Sequence, residues 1–282
     1  MERLADFRQV FAQAVVARAG CPANETLRRA FATVPRHAFL GPGPWIVCED
    51  GTRTATDDPA IAYQDIGIGL SAGIPTGLPS LHARLLDVVR PAAGQRVMQV
   101  GAGTGYYTAI LAELVGASGH VDGFEIDPAL AARAQQCLAP WPWASVEPRS
   151  GIQVPEHPVD LVYVNAGVQE LPRAWIDALA PGGRAVVPLV AADGQGAVYV
   201  LRREADDTCS ARFVCRARFV ACIGTQDAAS GLRLAEALRS DGCEAVRSLR
   251  LDPERPDATS WFAGDGWWLS TAAGQARSAR VS

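Results

Sequence analysis

Lysine is missing from this sequence: all 26 of its Lys+Arg residues are arginine. Schiff-base catalysis, the Walker-type phosphate loop and other lysine chemistries therefore have no residue to run on. Long apolar runs are missing too. The opening stretch MERLADFRQVFAQAVVARAG spreads acids and arginines along its length, which predicts neither a signal peptide nor a membrane-spanning helix. The 7 cysteines, at 21, 48, 137, 209, 215, 222 and 243, are odd in number and include no CxxC pair. They predict buried free thiols in a reducing compartment, with no disulfide framework and no metal site. A net charge of −4 supplies no electropositive footprint for nucleic acid. Neither nucleic acid nor membrane is expected as a partner, and the expected location is cytoplasmic.

The remaining composition, 49% hydrophobic and 20% charged over 282 residues, suits a globular α/β core. Residues 3–19 place Leu4, Phe7, Val10, Phe11, Ala14 and Val15 at three- and four-residue spacing, predicting an amphipathic helix, and a second helix is expected over 25–33. VPRHAFLGPGPW, residues 34–45, carries too much Pro and Gly to continue it, so an irregular, partly extended stretch is expected as far as Tyr63.

From residue 81 helical and apolar strand patterns alternate: LHARLLDVV, RVMQV, TAILAELV, HVDGFE, PALAARAQQCLA, a strand near 145–149, VDLVYVNA, a helix at LPRAWIDAL and a strand at RAVVPLV. Strands apolar almost throughout and separated by helices predict a doubly wound, mostly parallel sheet. Beyond residue 190, AVYVLRRE and ARFVCRARFVACI predict an antiparallel addition. A helix over 230–240, a strand in EAVRSLRLD, and a hairpin WFAGDGWWLS turning at Gly264, Asp265 and Gly266 complete a β-rich extension. Trp261, Trp267 and Trp268 are expected to pack within that hairpin. The last ten residues are expected to fray.

The chemistry concentrates in VMQVGAGTGYYTA, residues 97–109, where an apolar strand runs into Gly101, Gly103 and Gly105 and then a helix. Such glycines allow positive φ and close backbone approach to a ligand, and the helix N-terminus offers free N–H groups. Where a dinucleotide site wants its third glycine, this chain has Tyr106, which argues against NAD. Glu125, at the end of the next strand, stands where this fold puts a carboxylate that accepts ribose hydroxyls. Asp127, before Pro128, is expected to cap a helix.

These residues resemble the class I S-adenosylmethionine-dependent methyltransferases, through GAGTGYYTA, Glu125, VDLVYVNAG and PGGRAVVPL. Within them the chain is similar to the protein-L-isoaspartate O-methyltransferase group, through VPRHAFL at 34–40, YQDIGIGL at 63–70 and VNAGVQELP at 164–172. The resemblance covers about residues 34–190, and with the pattern along the chain three parts are expected: a helical entry segment packed on the core over 1–62, a methyltransferase domain over 63–224 and an α/β extension with a tail over 225–282. The resemblance implies S-adenosylmethionine as cofactor, with Gly101, Ala102, Gly103 and Gly105 under its methionine part, Thr104 among the cofactor-binding residues and Glu125 on the ribose. Ser150 and Gly151 would flank the adenine where the family usually has Asp-Gly, and Asn165 falls among the cofactor-side residues.

The family's acceptor loop usually reads Gly-Gln-Thr-Ile-Ser-x-Pro, whereas this chain has GIPTGLP at 73–79, which puts Ile74, Pro75 and Gly77 at the glutamine, threonine and serine positions. Gly77 offers no side-chain donor, and alternation along an extended chain points Thr76 elsewhere. Tyr63, Asp65, Thr76, Gly77 and Tyr106 are the acceptor-side candidates, with Tyr107 also at the border. A carboxylate acceptor is already ionised at pH 7 and needs no base. An amine, phenol or thiol would need one, from His82, Asp65 or Glu170. His82 reads more readily as a helix packing or solvent-facing residue, and Arg36 and His37, after Pro35, could reach an anionic acceptor but read more readily as solvated surface. The expectation is O-methylation of a carboxylate on a peptide or small metabolite. Isoaspartyl repair, an internal displacement releasing methylthioadenosine, and a noncatalytic cofactor-binding domain stand as alternatives.

Overall fold

In the computed structural model, which describes residues 2–49, 52–70, 74–153, 157–205, 208–251 and 255–274, the chain begins with helices α1 (Glu2–Arg18), α2 (Glu25–Thr33) and α3 (Arg36–Leu40). The periodicity of α1 misled in one respect: Phe7 and Val10 are 42% and 69% exposed, and Phe11, Ala12, Val15 and Val16 form the buried stripe. VPRHAFL is not irregular. Pro35 caps α3, a suitable place for a residue that lacks an N–H, and Gly41 ends the helix at φ 78°. Short strands β1 (Trp45–Glu49), β2 (Thr52–Thr56) and β3 (Gly67–Gly69) follow.

The alternating region contains α4 (Pro79–Val89), β4 (Arg96–Val100), α5 (Tyr106–Val115), β5 (His120–Phe124), α6 (Pro128–Cys137), β6 (Ala144–Glu147), β7 (Val159–Val164), α7 (Arg173–Asp177) and β8 (Leu179–Val190). The helix expected over LPRAWIDAL is only five residues long, and β8 starts earlier than RAVVPLV suggested. Next come β9 (Gly196–Arg203), β10 (Cys209–Arg216), α8 (Ala228–Arg239), β11 (Ser248–Leu251), β12 (Ser260–Ala263) and β13 (Trp267–Ser270). ARFVCRARFVACI thus stops being strand at Arg216. The expected frayed tail lies, from residue 275 on, outside the described residues.

Two compact units result, Met1–Gln95 with Ala102–Arg149, and Arg96–Gly101 with Ser150–Ser282. In the first, β1 pairs antiparallel with β2 and β3, and β5 pairs parallel with β6. Phe11 anchors its helical layer, with ring centroids 6.4 Å from Phe31 and 5.8 Å from Tyr63. In the second, the strands run in the order β12-β13-β11-β10-β9-β8-β7-β4, parallel from β4 to β8 and antiparallel beyond. In β7 only Asp160 is not fully buried, and its carboxylate accepts the Arg96 N–H at 2.8 Å. This is the near-continuous apolar strand that a sheet covered on both faces requires.

The β-rich extension is fastened by Glu170. Its carboxylate accepts the Ser230 hydroxyl of α8, the Asp265 N–H of the hairpin turn and the Trp267 indole N–H, the last two both at 2.9 Å. Trp267 and Trp268 are buried in the hairpin, as expected. Cys21, Cys209, Cys215, Cys222 and Cys243 are buried free thiols, and Cys137 is a half-buried one. No helix among the described residues is long and apolar enough to cross a membrane.

Candidate active site

In the first unit the glycine loop is held from below. Ala102 N–H donates to the Phe124 carbonyl, and Gly105 N–H to the Ala102 carbonyl. Gly103 and Gly105 adopt φ of 58° and 88°, the left-handed region open to glycine. At Gly105 a Cβ would also lie 3.1 Å from the Ala134 Cβ, so α5 and α6 depend on its absence. Gly105 caps α5 without a side chain, so no cap side chain takes the first-turn N–H groups of this helix, which is buried nearly all round. Ala102 and Thr104 are buried.

Glu125 is 8% exposed. One carboxylate oxygen accepts the Gly103 N–H at 2.7 Å and the other the Asp127 N–H at 3.0 Å. The carboxylate is thereby fixed beside the loop while each oxygen keeps acceptor capacity, an acceptor pair that fits the two hydroxyls of a vicinal diol. Asp127 caps α6, accepting from Ala129 and Leu130 N–H, as expected. Ile126, between them, was not foreseen. Its apolar side chain stays 48% exposed and gives a flat heterocycle a face to lie on. A nucleoside with a charged tail therefore fits this loop, and the residues present suit S-adenosylmethionine.

In the second unit Gly101, at φ 76°, lies against Asn165: a Cβ there would be 3.5 Å from the Asn165 carbonyl, and the Asn165 side-chain amide donates to the Gly101 carbonyl at 3.3 Å. Asn165 thus holds backbone as well as being a cofactor-side candidate. Ser150 Oγ accepts the Ile152 N–H at 3.4 Å, and the Gly151 carbonyl accepts the buried Trp175 indole N–H at 2.8 Å.

The acceptor-side candidates all fall in the first unit, and most are engaged by the fold. Asp65 accepts the Ser80 N–H at 2.8 Å, supplying α4 with the cap that Leu78 cannot, and pairs with Arg18 at 3.4 Å. Tyr63 OH meets His37 Nδ1 at 2.5 Å, and burial pushes its pKa up. Thr76 Oγ1 accepts the Ile68 N–H at 3.1 Å, folding the loop back on β3. Tyr106 is buried, and its hydroxyl has no hydrogen-bond partner among the described residues. Gly73 lies outside them.

Two sequence expectations reverse here. Arg36 is not solvated surface but fully buried, donating to the carbonyls of Ala62, Gln64 and Ile66 and to Thr76 Oγ1. His37 is half-buried against Tyr63 rather than solvated. His82 is a packing residue as read, stacked on Tyr107 at 3.7 Å, and burial holds it neutral with a pKa of about 3. What no sequence pattern announced is its place under Gly77. A Cβ on Gly77, which has φ 75°, would lie 2.7 Å from His82 Nε2. Imidazole fills the volume that a loop side chain would need.

The sequence pattern of the family Protein-L-isoaspartate(D-aspartate) O-methyltransferase (PCMT) matches residues 15–227. A protein-L-isoaspartate O-methyltransferase of Pyrobaculum neutrophilum is 32% identical over 66% of this chain and 86% of its own. One from Aeropyrum pernix is 31% identical over 63% of this chain, a match that spans 65% of the relative's length. Among solved structures, a Plasmodium falciparum protein assigned as a protein-L-isoaspartate O-methyltransferase, in complex with S-adenosyl-L-homocysteine, superposes with a TM-score of 0.60 at 19% identity, covering 76% of this chain and 97% of that one. A second protein-L-isoaspartate O-methyltransferase gives 0.62 at 19% identity, covering 94% and 88%. Both share the α/β fold.

Proposed function

Because this chain belongs to the protein-L-isoaspartate(D-aspartate) O-methyltransferase family, we propose that it is an S-adenosylmethionine-dependent methyltransferase whose acceptor is the free carboxylate of isoaspartyl residues in proteins or peptides. The names of the relatives favour this acceptor over the broader expectation of any peptide or metabolite carboxylate. The observation that carries the cofactor reading is the buried Glu125 carboxylate bonded to Gly103 of the glycine loop.

The bound cofactor supplies a methyl group activated on a sulfonium. Glu125 would hold its ribose and Ile126 would lie along its base. Gly101, Ala102, Gly103 and Gly105 would run under the methionine part with Thr104 in the same loop, Ser150 and Gly151 would flank the adenine as the family resemblance implies, and Asn165 would support the loop through the Gly101 carbonyl. The protein's remaining task is alignment of nucleophile and methyl, the source of much of the rate in a displacement that needs no covalent help. No base is required for an acceptor already ionised at pH 7. That suits a site whose histidine is buried and neutral and whose Asp65 caps a helix. Replacement of the loop serine by Gly77 removes a donor, and His82 occupies the space beneath.

Tritium transfer from S-adenosylmethionine to an isoaspartyl peptide, with the aspartyl peptide and a panel of carboxylic acids alongside, tests the proposal. Label on the isoaspartyl peptide, released as methanol by mild base, is expected. Label confined to small acids, or release of methylthioadenosine without methylation, refutes it.

A further inference from the structure

Arg36 is a cation with no exposed surface and, among the described residues, no acidic partner. Its guanidinium is satisfied by three backbone carbonyls and by Thr76 Oγ1 at 3.1 Å, and it lies between the rings of Phe11 and Tyr106, 5.9 and 5.8 Å from their centroids. Arg36 Nε and the Tyr106 hydroxyl are both buried without a hydrogen-bond partner there. Carbonyls and rings solvate a charge but leave it uncompensated, and a buried charge without a counter-charge is costly enough to be uncommon. After burial, Arg36 is the leading influence on the titration of both His82 and Tyr106, so its field reaches His82, the residue beneath Gly77.

We propose that Arg36 is a positioning residue that sets the charge class of the acceptor: it braces the loop through Thr76 and leaves beneath Gly77 a positive potential that an acceptor carboxylate completes. The proposal rests on the carboxylate-methylation reading. It explains how a loop without its serine still favours an anion: attraction comes from a charge below the backbone, and no loop side chain has to donate. Arg36 does not touch the acceptor in this scheme. Its charge works at short range through a protein interior, where screening is weak.

The test is calorimetric titration of the full chain saturated with S-adenosylhomocysteine, using an isoaspartyl peptide and the same peptide with that carboxylate replaced by a carboxamide. Wild type is expected to prefer the carboxylate by about tenfold or more. Arg36→Met is expected to bring the two affinities within about twofold while S-adenosylhomocysteine affinity holds, and Arg36→Lys to keep most of the preference. A purely structural arginine predicts that both variants bind both peptides worse by equal factors. Should Arg36→Met fail to fold, Thr76→Asp, which gives Arg36 an internal counter-charge, is expected to abolish the preference and raise the melting temperature. A preference that survives in Arg36→Met, or in Thr76→Asp where the former does not fold, overturns the proposal, as does a wild type with none. These titrations need no turnover, so failure of the wild type to methylate the isoaspartyl peptide refutes the proposed function separately.

Discussion

Replacing Gly77 with serine restores, on paper, the residue that the family's acceptor loop carries. In this structure it is expected to damage the protein. Gly77 sits at φ 75°, and its new Cβ would be 2.7 Å from His82 Nε2, on a ring clamped against Tyr107 at 3.7 Å. A non-glycine residue in the left-handed region costs about 1–2 kcal/mol, and overpacking a filled site about 1–3 kcal/mol more. The joint loss of about 2–5 kcal/mol corresponds to a fall in melting temperature of roughly 2–4 °C per kcal/mol for a chain of this size. His82→Ala alone leaves a cavity and should cost about 2–4 kcal/mol. In the double variant the serine enters the vacated space, so the two costs should fall short of additivity by about 1–3 kcal/mol. Denaturant unfolding of the four proteins gives the cycle, and methylation of the isoaspartyl peptide gives its functional counterpart. Additive costs, or Gly77→Ser as stable as wild type, would refute the steric argument.

Glu125→Ala removes the carboxylate proposed for the ribose and should weaken S-adenosylhomocysteine binding by about 1–3 kcal/mol, roughly 5- to 150-fold, measured by calorimetry. Gly105→Ala meets Ala134 at 3.1 Å with φ 88° and should destabilise by about 1–3 kcal/mol in denaturant titration, with α5 and α6 the elements pushed apart. His82 titrates near 3 when folded against an ordinary 6.5, because burial disfavours its charged form. The unfolded chain therefore binds the extra proton between those values. Its contribution is complete above pH 6.5 and is lost as pH falls, at up to about 1.4 kcal/mol per pH unit. His82→Gln should flatten that part of the stability profile, and an unchanged slope would contradict the burial. Glu170→Ala strips the Ser230 hydroxyl, the Asp265 N–H and the Trp267 indole of their shared acceptor and should cost about 2–4 kcal/mol, with a change in near-ultraviolet tryptophan dichroism.

Local rules carried the core of the fold and the backbone geometry of the glycine loop. Strand, glycines, helix and the following acid in VMQVGAGTGYYTA and HVDGFE are read from backbone requirements: Gly103 and Gly105 need positive φ, and Asp127 with Pro128 starts a helix wherever it is placed. VDLVYV declares a strand buried on both faces by its composition alone. Such features depend on neighbours within a few residues, which the sequence displays directly.

Residues whose meaning depends on distant partners were illegible. Arg36 looks like surface because nothing nearby in sequence shows that carbonyls some 30 residues on will collect around it. Glu170 reads in sequence as a candidate base until α8 and the β12–β13 hairpin, far along the chain, close on it. Gly77 reads as a lost donor by sequence and as a steric necessity in space, because only folding brings the imidazole of His82 beneath it. Backbone geometry is encoded locally and survives translation into a string of letters. Burial of charge and exclusion of volume are set by long-range packing, and they come into being only when the chain has folded.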